Sequence, residues 1–217
     1  MQNAKNKVQN WGFTLVELLI VIALLAAIAL IVLSAINPVE QSNRAHDTRF
    51  AADSGQLISA LERYYASRNQ YPWVYSTGTP PAGAQTTTSA EAAYPYISAH
   101  NPGIGACGNT ACTVDGLLIT SNELKQEFRN RDFFRDGAAG STDPYKYILI
   151  GKAAGNVASV YACYLPMSNA SRQKACAEGD VYTVTIGGTT RTAVAPTTCA
   201  AAAVGTWNTA WYVCLPQ

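Results

Sequence analysis

The stretch that decides the fold runs from residue 12 to residue 36 and reads GFTLVELLIVIALLAAIALIVLSAI. After Gly12 it contains 24 residues and a single charged side chain, that of Glu17. As an α-helix these residues would be about 36 Å long, whereas the hydrocarbon core of a bilayer is about 30 Å thick. The segment is therefore predicted to form a helix that can span a membrane.

The residues before this segment distinguish it from an ordinary secretory signal peptide. Residues 1–12 read MQNAKNKVQNWG, with Lys5 and Lys7 and no acid, a pattern that places the leader in the cytoplasm. A signal peptide has an apolar region of about 7–15 residues, and its small-residue cleavage site follows that region. Here the apolar run is longer and the small residue, Gly12, precedes it. A cut after Gly12 would leave the helix on the mature protein.

Residues 12–17, GFTLVE, resemble the processing site of type IV prepilins and of type II secretion pseudopilins. The resemblance implies that a prepilin peptidase cuts between Gly12 and Phe13 and methylates the amine of Phe13. It also implies that Glu17 pairs with the amine of a neighbouring subunit and sets the axial register of a filament. An acid at membrane depth costs about 3 kcal/mol, so Glu17 is expected to have a partner. The alternative is an incidental glutamate at the membrane edge.

Residues 37–70 are predicted to continue the helix as an amphipathic segment. Apolar and small residues recur at helical spacing at Ala51, Ser54, Leu57, Ile58, Leu61, Tyr64 and Tyr65. Pro38 removes a backbone hydrogen bond, so one long helix with a kink at residues 34–38 is favoured over two helices. The helix is expected to end near Asn69, and ALERYYASRNQYP resembles the end of the same helix in pseudopilins and related pilins.

Residues 71–217 are predicted to form an α+β head in which the long kinked helix packs on an antiparallel sheet. Residues 74–106 are interpreted as an irregular connector, because Pro, Gly and Thr are dense there. Thr120 and Glu123 fit a capping box before a helix at 121–130. The expected strands are 145–151, 158–165, 181–186, 190–195 and 210–215, with hairpins joining the first two and the next two.

Six cysteines follow the apolar segment, at Cys107, Cys112, Cys163, Cys176, Cys199 and Cys214. An even number beyond a membrane anchor suggests disulfides in an oxidising compartment, although six cysteines allow 15 connectivities. Pairing of neighbours is preferred, which gives Cys107–Cys112, Cys163–Cys176 and Cys199–Cys214. The rival interpretation is zinc binding, to which His46 and His100 could contribute.

Composition and motifs argue against an enzyme or a nucleic-acid binder. The net charge is +1, and loss of Lys5 and Lys7 with the leader leaves 13 basic against 14 acidic residues. The chain contains no nucleophile elbow, phosphate loop or zinc-protease motif, and no cofactor is expected. Asp132, Asp136 and Asp143 are candidate calcium ligands, but without a defined ligand spacing a solvated loop is the favoured interpretation.

The sequence thus divides into a leader (1–12), a membrane and filament-core helix (13–36), its amphipathic continuation (37–70) and an extracellular disulfide-bonded head (71–217). The resemblance implies a pilus subunit for adhesion, motility or DNA uptake. Its expected partners are copies of itself, the prepilin peptidase and the assembly platform. It would lie in the inner membrane before assembly and in a surface filament afterwards. The alternatives are a major pseudopilin of type II secretion, or a single-span anchored binding domain that does not polymerise.

Overall fold

The computed structural model describes residues 12–35, 37–135, 143–155, 158–203 and 205–216. The chain divides into two compact units, Met1–Val39 and Glu40–Gln217. The described part contains both helices and an antiparallel sheet, which agrees with the predicted α+β class. Its α-helices are α1 (Leu15–Ala35), α2 (Pro38–Arg68), α3 (Leu117–Thr120), α4 (Asp132–Arg135), α5 (Asn169–Glu178) and α6 (Pro196–Ala203). Its strands are β1 (Tyr94–Ser98), β2 (Leu149–Lys152), β3 (Val160–Tyr164), β4 (Val181–Val184), β5 (Arg191–Ala193) and β6 (Trp211–Leu215).

The predicted single kinked helix is divided into α1 and α2 at the proline. Helix α1 ends at Ala35, and Pro38 is the first residue of α2. Proline is well tolerated at a first helical position, because its missing N–H would have no partner inside the helix. Helix α2 ends at Arg68, and Asn69 has a left-handed φ of 55°, so the end predicted near Asn69 is confirmed.

The six strands form one antiparallel sheet in the order β1-β2-β3-β6-β4-β5. The sheet is curled, so that β1 at one end forms hydrogen bonds with the β4–β5 turn at the other end. The N–H of Tyr96 in β1 donates to the carbonyl of Gly188 in the β4–β5 turn at 2.7 Å, and the N–H of Gly187 donates back to Tyr96 at 2.8 Å. Gly187 has a φ of +80°, a conformation that favours glycine in this turn. Gly151 lies directly against the ring of Tyr96, where a Cβ would clash with it.

One hydrophobic cluster joins the buried face of α2 to the sheet. Phe50, Leu57 and Leu61 of α2 belong to this cluster. Phe50 lies 6.4 Å from the ring of Tyr164 in β3, measured between ring centroids. From the last turn of α2 onward, four rings stack in succession with centroid spacings of 4.7, 4.6 and 4.2 Å: Tyr65, Tyr71, Trp73 and Tyr94. These contacts bury the segment that follows the helix and attach it to β1.

Two carboxylates on α2 hold the start of α5. Asp47 accepts hydrogen bonds from the N–H groups of Met167 and Ser168 at 2.8 and 2.9 Å. Glu40 accepts from the next two N–H groups, those of Asn169 and Ala170, at 3.1 Å each. The first N–H groups of a helix have no intrahelical acceptor, and negative charge is favoured at this end. The acidic residues of α2 therefore fix where α5 begins.

The two carboxyl groups are held in their ionised forms. Burial opposes ionisation of Asp47, which is 2% exposed. Hydrogen bonds from His46, Met167 and Ser168 outweigh this effect and lower its pKa. Desolvation likewise opposes the charge on Glu40, and the hydrogen bonds from α5 with the nearby Arg44 lower its pKa.

Three disulfides form, and only one has the predicted pairing. Cys107–Cys112 is confirmed, whereas Cys163 pairs with Cys214 and Cys176 pairs with Cys199. The predicted Cys163–Cys176 and Cys199–Cys214 bonds are wrong because β6 lies between β3 and β4 in the sheet. That order places Cys214 directly opposite Cys163 and leaves α5 to be linked to α6.

The predicted helix at 121–130 is also wrong. Thr120 is the last residue of α3, and Asn122 has a left-handed φ of 62° that ends the helix. Residues Gln126–Asn130 form a separate 3₁₀ turn. The Glu123 carboxylate pairs with Arg63 of α2 at 3.0 Å, so it does not complete a capping box.

Two expectations for the first strands of the sheet were wrong. The connector predicted at 74–106 contains strand β1, whose Pro95 is tolerated because β1 is the first strand in the sheet order. The strand predicted from Tyr145 begins at Leu149, because Asp143 caps a 3₁₀ turn at Pro144–Lys146. The two predicted hairpins, β2–β3 and β4–β5, are confirmed.

Replacement Asp47→Asn should lower the free energy of unfolding by about 2 kcal/mol at pH 7, because the charged acceptor of two backbone N–H groups, one of them buried, is lost. The folded-state pKa of Asp47 lies below the ordinary value of 3.8. Its stabilisation is thus complete above pH about 4 and is lost as the pH falls through the folded-state pKa. The variant should lose less stability than the wild type between neutral and acid pH.

Urea denaturation of the full chain in non-denaturing detergent, at several pH values, measures both effects. Glu62→Gln, at an exposed position of the same helix, is the matched control and should behave like the wild type. Equal acid sensitivity in Asp47→Asn and the wild type would contradict the role assigned to Asp47.

Candidate functional site

The first described residues, Gly12 and Phe13, lie outside any helix and are exposed. Phe13 is 85% exposed, and α1 begins two residues later at Leu15. A peptide bond must be accessible and unconstrained by helical hydrogen bonds to enter a protease site. The predicted processing bond, Gly12–Phe13, has both properties. The predicted leader up to Trp11 lies outside the described residues.

Glu17 and Thr14 form a capping box at the start of α1. The Glu17 carboxylate oxygen Oε2 accepts from the Thr14 N–H and from its hydroxyl, at 2.9 Å each. In return, the Glu17 N–H donates to the Thr14 hydroxyl oxygen at 3.2 Å. This reciprocal pair satisfies N–H groups that the first helical turn leaves without acceptors. Glu17 thus has a structural partner within its own chain.

From Leu15 to Val32, helix α1 is exposed on all sides and is apolar apart from Glu17. Every Leu, Ile and Val from Leu15 to Val32 is exposed, by between 47% and 79% of its surface. The same stretch is the one helix among the described residues that is long and apolar enough to cross a membrane. An exposed apolar surface of this extent marks a contact with lipid or with other protein.

The candidate calcium ligands are only partly brought together. Asp132 and Asp143 line one cavity of about 220 Å³, together with His46, Arg49 and Lys146. Asp132 is paired with Arg49 at 2.7 Å, and Asp143 caps the N–H of Tyr145 at 3.1 Å. Two basic side chains in the same cavity compete with a bound cation. Asp136 lies outside the described residues.

The described residues contain one group of side chains that could hold a metal ion. Potential ligand atoms of His100, Cys107 and Cys112 lie within 4.8 Å of one another. The other histidine, His46, stacks on Phe50 with ring centroids 4.1 Å apart, and it does not belong to this group.

The sequence pattern placed Gly12, Phe13 and Glu17 in one functional segment, but the capping role of Thr14 was not predicted. The signal was available, because a threonine followed three residues later by glutamate, before an apolar run, is the pattern of a capping box. The acids that hold α5 were missed for a different reason. Glu40 and Asp47 lie about 120 residues before their partners, and no local pattern links them.

Comparisons of the chain with protein-family models, with curated proteins and with solved structures found no match. A function for this chain is therefore inferred from its own sequence and geometry.

Replacement Thr14→Ala should loosen the first turn of α1 by about 1 kcal/mol, because both sides of the capping box are lost. Amide hydrogen exchange of residues 15–17 in detergent micelles should become about fivefold faster. Glu17→Gln should change the exchange much less, since glutamine also completes a capping box. Unchanged exchange in Thr14→Ala would show that the box does not stabilise the helix start.

Proposed function

We propose that this chain is the precursor of a non-enzymatic structural subunit that polymerises through α1 into a type IV pilus-like surface filament. Cleavage between Gly12 and Phe13 would release the leader and leave α1 at the amino terminus. The single observation that carries the proposal is the exposure of α1 on every side from Leu15 to Val32. Such a helix needs a lipid environment before assembly and other apolar helices afterwards.

The composition of α1 suits both environments. Its 21 residues give a length of about 31 Å, which matches a hydrocarbon core of about 30 Å. Fully covering one Leu, Ile or Val side chain is worth about 1.5–3 kcal/mol. A helix that is apolar all round can be covered equally by lipid or by several copies of itself, so it can move from one environment to the other.

Glu17 is the one charge in this apolar surface. In the proposed filament its carboxylate faces the methylated amine of Phe13 in a neighbouring copy, which fixes how far one subunit is displaced from the next. In a plain single-span anchor Glu17 would act through the capping box alone. The two roles differ in whether the negative charge is needed, and this difference can be measured.

The processing step predicts the effect of Gly12→Asp. A side chain at this position should block cleavage, so that the chain keeps residues 1–12 and stays in the membrane. Intact-mass and amino-terminal peptide mass spectrometry of cells making the protein would measure the mature terminus, which should be N-methylated Phe13 in the wild type. Normal maturation of the Gly12→Asp variant would contradict the assigned cut site.

The assembly role predicts opposite behaviour for two variants that affect the same hydrogen-bonded pair. Glu17→Gln keeps the capping box but removes the charge, and it should reduce the yield of filaments at least tenfold while processing continues. Thr14→Ala weakens the cap but keeps the charge, and it should assemble to within about twofold of the wild type. Filaments sheared from cells and quantified by immunoblot, with membrane fractions as the reference, give both yields.

The converse result, normal filaments from Glu17→Gln and few from Thr14→Ala, would assign Glu17 to the helix cap alone. Absence of sheared filaments from the wild type, with correct processing, would leave a membrane-anchored extracellular domain as the function. A short filament that stays beneath an outer membrane would identify the type II secretion alternative.

A further inference from the structure

The His100, Cys107 and Cys112 side chains form a compact group in the second unit of the chain. Cys107 and Cys112 enclose four residues, a spacing seen in structural zinc sites. A tetrahedral zinc ion holds its sulfur and nitrogen ligands about 3.6–3.8 Å apart. The three ligand atoms here lie within 4.8 Å of one another, although the two sulfurs are joined in a disulfide. Only small movements separate this group from a three-ligand metal site.

His100 is buried, and each of its two ring nitrogens faces a backbone carbonyl oxygen. It is 2% exposed, and its Nδ1 lies 2.8 Å from the carbonyl oxygen of Phe134. A metal-ligating histidine usually donates one ring N–H to such a carbonyl, which presents the other nitrogen to the ion. The other nitrogen, Nε2, contacts the carbonyl oxygen of Thr110 at 2.6 Å. Thr110 belongs to the loop that the Cys107–Cys112 disulfide closes, so opening that loop would release Nε2.

The Cys107–Cys112 bond is the one that a reductant can reach most easily. All six cysteines lie in the described residues, and Cys112 is the only one that is partly exposed. A cavity of about 190 Å³ lies beside the group and is lined by Ser98, His100, Asn101 and Thr110. Ile97 and Pro102 also line this cavity, which reaches His100 but neither cysteine, and its volume has room for a water molecule.

We propose that reduction of Cys107–Cys112 converts this group into a binding site for a thiophilic divalent cation such as Zn²⁺. A phosphine reductant supplies two electrons and becomes a phosphine oxide by taking the oxygen of a water molecule, whose two protons leave two thiols on the protein. Metal binding displaces these two protons to solvent, so that two thiolates and the neutral imidazole of His100 hold the ion. The sulfurs move apart by about 2 Å to reach zinc geometry. The disulfide and the metal are thus alternative closures of the same loop.

The test uses the full chain in detergent micelles, reduced by a mild phosphine. Alkylation and peptide mass spectrometry select conditions in which only Cys107 and Cys112 become free. Co²⁺ is the probe, because thiolate-to-cobalt charge transfer absorbs in the near ultraviolet. One equivalent of Co²⁺ should bind to the reduced chain, Zn²⁺ should displace it, and the oxidised chain should show no such absorption.

Two variants and a matched control identify the ligands. His100→Gln should weaken Co²⁺ binding at least tenfold, and the double variant Cys107→Ser with Cys112→Ser should abolish it. His46→Gln, which changes the other histidine, should bind as the wild type does. The Cys163–Cys214 and Cys176–Cys199 bonds, checked by mass spectrometry, report whether each variant has folded. No cobalt absorption in the selectively reduced wild type, or equal affinity in the double cysteine variant, would overturn the proposal.

Discussion

Apolar surface that water must not touch is the constraint on which the rest of this chain depends. Thirteen Leu, Ile and Val side chains between Leu15 and Val32 are exposed, and covering each is worth about 1.5–3 kcal/mol. The burial of two such side chains therefore offsets the cost of about 3 kcal/mol for placing Glu17 at membrane depth. A helix with this composition belongs in lipid or among other helices. The disulfide-bonded cysteines all lie in the part of the chain that follows it.

The second unit obeys a different constraint, that buried charges must have partners. Asp47 is buried on α2, and its carboxylate is satisfied by backbone N–H groups at the start of α5, with His46 as a further contact at 3.5 Å. Glu40 extends the same arrangement to the next two N–H groups, those of Asn169 and Ala170. Backbone donors have fixed positions, so these bonds determine the start of α5 more strictly than a flexible ion pair would. The Cys176–Cys199 bond then links α6 to α5, so the position of α2 constrains the positions of both α5 and α6.

Local patterns in the sequence predicted local structure well and the pairing of distant segments poorly. The apolar helix, the end of α2 and both hairpins follow from composition, periodicity and turn residues. The insertion of β6 between β3 and β4 cannot be predicted in this way, because no local pattern in residues 211–215 indicates which strands they pair with. The two wrong disulfides have this same cause. The capping-box pattern occurs at Thr14–Glu17 and at Thr120–Glu123, and only the first forms. At the second, tertiary contact between Glu123 and Arg63 and the left-handed Asn122 prevent the box.

The cap and the proposed charge pairing of Glu17 are compatible with each other. Both hydrogen bonds from Thr14 end on the same carboxylate oxygen, Oε2, so the capping box does not use Oε1. The box also fixes the carboxylate next to Thr14, the residue that follows the proposed new terminus, Phe13. A carboxylate held in this way loses little further side-chain entropy when it binds an amine, and rigid ligands bind more strongly for that reason. In the proposed filament, the bond within one subunit would therefore orient the acid for the bond between subunits.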